Sequence, residues 1–233
     1  MSIAKNITQI NHDISSALAR RNSARINMPG DVKLVAVTKN HPIAVMREAI
    51  LAGVTAVGEN RVQEAHTKYQ QLDYQPEWHL IGHLQTNKVR QAVSLFQLIH
   101  SVDSERLASE IDTIAAKIGK RQDVLIQVNV ADEDSKFGIS PEEVIKFGHF
   151  ISNLEHVHLC GLMTVAPFYE EAEEARPVFC RLYQLFMELR AMNLANTNLD
   201  WLSMGMTNDY IIAVEEGANL VRIGTGIFGT RQY

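Results

Sequence analysis

Only two cysteines, Cys160 and Cys180, occur in the 233 residues. That count excludes a disulfide framework, and neither cysteine sits in a CxxC pair of the kind that holds zinc. Excess positive charge is missing too: 22 Lys and Arg stand against 27 Asp and Glu, a net charge of −5. Proteins whose main partner is nucleic acid carry a basic field to neutralise phosphates, so nucleic acid is set aside. No apolar run approaches the roughly 20 residues needed to cross a bilayer, so no membrane partner is expected. The leading stretch MSIAKNITQINHDISSALARR is polar and helix-periodic, without the apolar segment of a secretory signal. A cytoplasmic protein is the expectation.

What is present is an alternation. Short apolar, β-branched runs occur at Val32–Thr38, Ala56–Gly58, Trp78–Ile81, Leu98–Val102, Val124–Val130, Val157–Met163, Trp201–Met204 and Leu220–Ile223. Amphipathic stretches with helix punctuation lie between them. Pro42 fits a first helical position and Gly53 a position just past the end of that helix. Asn60 to Gln63 and Ser140 to Glu143 read as N-terminal caps, and Thr207 can cap the stretch ending at Gly217. Strand-then-helix order repeated eight times implies parallel strands. Residues 1–233 therefore read as a single α/β domain, a (β/α)8 TIM barrel with an extra N-terminal helix. An open doubly wound sheet is the alternative.

A barrel concentrates function at the C-terminal ends of its strands. Val35, Val37 and Lys39 share a face by the period of two, which carries Lys39 to the barrel mouth. An amine at the rim of an apolar pocket is partly desolvated, which favours its neutral, nucleophilic form, as a Schiff-base lysine requires. A solvated lysine opening a loop fits the same spacing. Gly224 to Gly229 spells GxGxxG, yet only four residues follow, so no dinucleotide unit can be built on it. A phosphate cradle survives that test. Ser203 and Thr207 end the seventh run, Gly224 and Thr225 the eighth, and together they offer hydroxyls beside glycine-permitted backbone N–H groups. Arg222 lies inside an apolar strand and needs an acceptor, either a carboxylate in the barrel or a ligand. Asn60 is a helix cap or a ligand contact, and His79 a core histidine or a ligand contact. His156 and His158 share a strand face, and His79 and His83 lie four apart. No third ligand at suitable spacing completes either pair, so no metal is expected.

Longer stretches carry a resemblance: AVTKNHP around Lys39, VGENRVQE at Gly58–Glu64, WHLIGHLQTNK at Trp78–Lys88, QVNVADEDSKFGI at Gln127–Ile139, GLMTVAP at Gly161–Pro167, SMGMTNDY at Ser203–Tyr210 and VRIGTGIFG at Val221–Gly229. In these the chain resembles the pyridoxal phosphate homeostasis protein family, single-domain relatives of the N-terminal barrel of alanine racemase. The resemblance implies pyridoxal 5′-phosphate (PLP) held as an aldimine on Lys39. It places the phosphate around Ser203, Thr207, Gly224 and Thr225, Arg222 at the pyridine nitrogen, and Asn60 and His79 in the pocket lining. It implies a role in the intracellular vitamin B6 pool, with PLP-requiring apo-enzymes as partners and no established catalysis.

A PLP-dependent amino-acid racemase is the alternative. An always-charged Arg222 at the ring nitrogen would disfavour its protonation and weaken the ring as an electron sink. Racemisation also needs a second acid/base group opposite Lys39, for which Tyr210 and His79 are the candidates. In the resembling racemase that group comes from a partner subunit with a further, β-rich domain. This chain ends within ten residues of Gly224, and the expectation is a barrel without that domain. A barrel binding some other phosphorylated metabolite non-covalently is the third reading.

Overall fold

The computed structural model describes residues 2–21, 23–25, 28, 30–133 and 136–229. Of the stretches that carry the resemblance, only Asp134 and Ser135 lie outside the described residues. In chain order the elements are α1 (Ile3–Ala19), β1 (Lys33–Val37), α2 (Ile43–Leu51), β2 (Ala56–Glu59), α3 (Val62–Tyr69), β3 (Glu77–Leu80), α4 (Val89–Leu95), β4 (Leu98–Val102) and α5 (Glu105–Lys117). They continue with β5 (Gln122–Gln127), α6 (Val144–Ser152), β6 (Val157–Met163), α7 (Arg176–Ala191), β7 (Thr197–Ser203), α8 (Tyr210–Glu215), β8 (Leu220–Ile223) and α9 (Thr225–Phe228). The eight strands form a closed barrel in sequence order. Closure is visible at Val35, which lies opposite Ala56 on one side and opposite Arg222 on the other. The barrel expectation holds, and the open sheet does not.

The strand sequences fit this architecture because a parallel barrel buries both faces of each strand. Inward side chains form one cluster of Val35, Ala56, Leu98, Leu125, Cys160, Met163 and Leu220. The alternate, outward residues, such as Ala36, Val57, Ile99, Val124, Leu162 and Val221, pack under the helices. Burying one Leu, Ile or Val side chain contributes about 1.5–3 kcal/mol, so the two layers supply most of the drive for closure.

Five strands differ in their limits from the apolar runs; β1 is one residue shorter at each end and β2 gains Glu59. β7 starts at Thr197 rather than Trp201, and its added residues Thr197, Asn198 and Asp200 are half-buried or exposed polar groups that hydropathy passes over. β3 gains Glu77. β5 spans Gln122–Gln127 rather than Val124–Val130, and Val128 instead bridges Ile139. Pro42 stands one position earlier than expected, at the cap of α2, while Gly53 follows that helix with φ +99°. The cap of α3 is Arg61 rather than Asn60. The cap expected at Ser140 is present, with Glu143 accepting from the Ser140 N–H at 3.1 Å.

The extra N-terminal helix is α1, whose Ile7, Ile10, Ile14 and Ala17 make one buried stripe at helical spacing. It packs on α8 and α9, and Asn6 Nδ2 donates to the Ile227 carbonyl at 2.8 Å. The elements that follow β7 and β8 are thereby braced from outside. Among the described residues no helix is long and apolar enough to cross a membrane.

Candidate functional site

A cavity of about 420 Å³ opens at the C-terminal ends of the strands. Lys39 and Val37 line it together, so the inward row that starts at Val35 does reach the mouth. The turn that presents Lys39 is held from behind. Lys68 Nζ on α3 donates to the Thr38 carbonyl at 2.7 Å, to Glu59 Oε1 at 2.7 Å and to Glu64 Oε1 at 2.8 Å. The Thr38 hydroxyl donates to Glu59 Oε1 at 2.6 Å, and the Asn40 N–H donates to Glu64 Oε1 at 2.5 Å. Burial pushes the Glu59 carboxyl up, and the Lys68 ammonium pulls it back.

The loops after β7 and β8 form the facing wall. The Gly226 N–H donates to Thr207 Oγ1 at 3.1 Å, so Thr207 links the two loops. It does not cap α8; Asp209 occupies that cap position and accepts the Met206 N–H at 2.6 Å. The turn out of β7 requires glycine at 205. Its φ is +96°, and an added Cβ would lie 2.7 Å from the Ala213 Cβ. The Gly205 carbonyl then accepts the Arg222 N–H at 3.0 Å, which registers β8 against that turn.

Arg222 forms the floor. Nη2 donates to the Thr164 carbonyl at 2.7 Å and Nη1 to Ser203 Oγ. Complete burial pushes its pKa down to about 10, a value that leaves the guanidinium charged at neutral pH.

Five residues singled out in the sequence, Lys39, Thr207, Arg222, Gly224 and Thr225, thus line one cavity. Ser203 and His79 do not line it; both are wholly buried inside the barrel below it. Asn60 does not line it either; its backbone lies against Gly82, where an added Cβ would be 2.5 Å from the Asn60 carbonyl oxygen. Asn129 falls after β5 and braces its loop by donating to the Glu133 carbonyl at 2.9 Å. Tyr210 is turned away, with its hydroxyl donating to Asp13 on α1 at 2.9 Å, and burial raises its phenol.

Four polar residues of the lining, Lys136, Tyr169, Asn208 and Asp209, are not among those singled out from the sequence. Tyr169 belongs to the stretch Val165–Tyr169 after β6, whose apolar residues supply another wall of the cavity. Its signal was positional, since every strand end of a barrel feeds the mouth. At the opposite end, His158 meets Asp123 Oδ1 at 2.8 Å and Cys160 Sγ at 3.3 Å. His156 precedes β6, and its N–H instead donates to Asp112 at 2.7 Å. Spacing within one strand did not reveal the Asp123–His158–Cys160 cluster, because Asp123 comes from the neighbouring strand in register with His158.

A closed parallel barrel with an amine, a guanidinium and hydroxyls at its C-terminal mouth is of the alanine racemase N-terminal domain class, and that family matches residues 14–232. Alanine racemase of Clostridium difficile shares the fold at a TM-score of 0.74 and 16% identity, over 97% of this chain and 57% of that one. A pyridoxal phosphate homeostasis protein of Aquifex aeolicus is 46% identical over 203 residues, covering 86% of this chain and 88% of its own. PipY of Synechococcus elongatus, solved with PLP bound, matches at a TM-score of 0.79 and 40% identity, over 93% of this chain and all of PipY. The chain belongs to the pyridoxal phosphate homeostasis protein family.

Proposed function

We propose that this chain binds PLP at the barrel mouth through a covalent bond to Lys39 and serves PLP homeostasis. The observation that carries the reading is the convergence of Lys39, Thr207, Arg222, Gly224 and Thr225 on one cavity. The donor set fits the cofactor. Its aldehyde needs a primary amine, its phosphate needs O–H and N–H donors, and its ring nitrogen offers a lone pair to a donor. Lys39 is the amine, Thr207 and Thr225 with the glycine backbone are the phosphate donors, and Arg222 is the ring partner. Lys39 Nζ forms a C=N bond to the aldehyde carbon, and the carbonyl oxygen leaves as water. The apolar wall of Val37, Val165, Ala166, Pro167 and Met206 takes the ring.

When bound, PLP supplies an electron sink, and that sink is deepest with the ring nitrogen protonated. Arg222 has only N–H donors and stays charged, so a ring nitrogen facing it remains unprotonated. This favours holding the cofactor over carbanion chemistry. The role is a carrier in the cytoplasm, with apo-enzymes that need PLP as recipients.

The test is a visible spectrum of the purified protein, borohydride reduction and peptide mass mapping. An imine band and a reduced adduct on Lys39 are expected. A colourless protein that gains no adduct when PLP is added would overturn the reading and leave a barrel for another phosphorylated ligand. A racemase is the second reading, and the observation that favours it is Tyr169, a phenol lining the same cavity as Lys39.

A further inference from the structure

Arg222 is one end of a hydrogen-bonded chain that runs through the barrel to its opposite face. Arg222 Nη1 meets Ser203 Oγ, and Ser203 Oγ lies 3.0 Å from His100 Nδ1. His100 Nε2 lies 2.8 Å from His79 Nδ1, and His79 Nε2 lies 3.0 Å from Glu77 Oε1. Glu77 Oε2 accepts from Lys33 Nζ at 2.6 Å. Lys33 and Glu77 are the first residues of β1 and β3, at the face away from the cavity, while Ser203, His100 and His79 are wholly buried.

The chemistry of the two ends fixes every proton between them. A carboxylate only accepts, so His79 donates from Nε2 and its Nδ1 is the acceptor. His100 must then donate from Nε2 and accept at Nδ1. The Ser203 hydroxyl therefore gives its proton to His100. A guanidinium only donates, so Ser203 Oγ accepts from Arg222. All donors point one way, from Arg222 at the cavity to Glu77 at the far face. Burial of the two imidazoles favours this neutral arrangement.

We propose that Glu77, His79, His100 and Ser203 are positioning residues for Arg222, holding its charge at the ring side of the cavity. Ser203 acts here as an acceptor for Arg222, with its proton committed to His100, and not as a phosphate donor. The inference rests on PLP as the ligand only where binding is read; the proton order is a property of the chain alone.

Two experiments test it. The first needs no cofactor: long-range proton–nitrogen NMR of the full-length, imidazole-labelled protein. Both His79 and His100 are expected as Nε2–H tautomers in the wild type. In Glu77→Gln the side-chain amide can donate as well as accept, so the order is no longer imposed and the His100 nitrogen shifts should move. A wild-type Nδ1–H tautomer at either histidine, or unmoved His100 shifts in Glu77→Gln, overturns the proposal and leaves the cofactor reading standing.

The second compares PLP with pyridoxal, the same ring and aldehyde without the phosphate, on wild type and Ser203→Ala. Loss of one hydrogen-bond partner of Arg222 should weaken both ligands together, by about tenfold. If Ser203 instead holds phosphate, PLP weakens and pyridoxal does not, and the proposal fails; unchanged affinity for both also overturns it. Failure of wild type to bind either ligand would sink the cofactor reading, with the NMR result still deciding the proton order.

Discussion

Thr207 Oγ1 accepts the Gly226 N–H at 3.1 Å, so one side chain joins the loop after β7 to the loop after β8 at the rim of the cavity. Thr207→Val keeps the shape and removes both the acceptor for Gly226 and a donor toward ligand phosphate. PLP affinity should fall about tenfold to a hundredfold, the cost of one or two lost polar contacts. Thermal stability should change little, because Thr207 is not fully buried. Equilibrium titration followed by absorbance checks this, and wild-type affinity in the variant would remove Thr207 from the phosphate site.

The barrel and its mouth residues were legible in the sequence because apolar runs report buried strands directly and strand ends report the mouth. Lys39 followed from the row Val35–Val37, and Thr207 and Thr225 from the ends of β7 and β8. The cap assigned to Thr207 was wrong because Asp209, two residues later, occupies that position, and a cap signature tolerates such slips. The interior chain was not legible. Its members come from β3, β4, β7 and β8, and His100 and Ser203 are 103 residues apart. Such pairs depend on barrel register, which local periodicity does not encode. Tyr169 escaped for a different reason: it lies in a loop, where hydropathy carries no pattern.

Lys68 and Glu59 form a buried pair behind the Lys39 turn, at side-chain exposures of 8% and 0%. Lys68→Met leaves the Glu59 carboxylate buried with, among the described residues, only the Thr38 hydroxyl as a side-chain partner. The expected loss is about 3–5 kcal/mol in urea unfolding. Adding Glu59→Gln removes the orphaned charge and should restore a large part of it. A double variant no more stable than Lys68→Met would show that the loss comes from packing and not from the carboxylate.

Glu77 contributes to the acid side of the stability profile. Its carboxyl is held at about 2, against an ordinary 4.5, chiefly by the hydrogen bond from His79 and also by Lys33. A depressed pKa means the unfolded chain binds the proton first, so this contribution is present above about pH 4.5 and is lost as pH falls toward 2. Partial exposure of Glu77 moderates its size. Melting curves between pH 5 and 3 should fall more steeply for wild type than for Glu77→Gln, and parallel curves would contradict the assignment.

Carrier and racemase differ in what must stand opposite Lys39. Of the two acid/base candidates named from sequence, Tyr210 is bound to Asp13 outside the cavity and His79 is buried beneath it in the chain to Glu77. Tyr169 is the phenol that does line the cavity. Exchange of the α-hydrogen of alanine in deuterated solvent, measured with the PLP-loaded protein, separates the cases. A carrier shows exchange near that of free PLP, and Tyr169→Phe leaves it unchanged. A racemase interconverts the D and L forms with steady turnover that disappears in Lys39→Ala and falls by about 100-fold or more in Tyr169→Phe, as expected when one general acid/base is removed. With Arg222 charged at the floor of the cavity, the carrier outcome is expected.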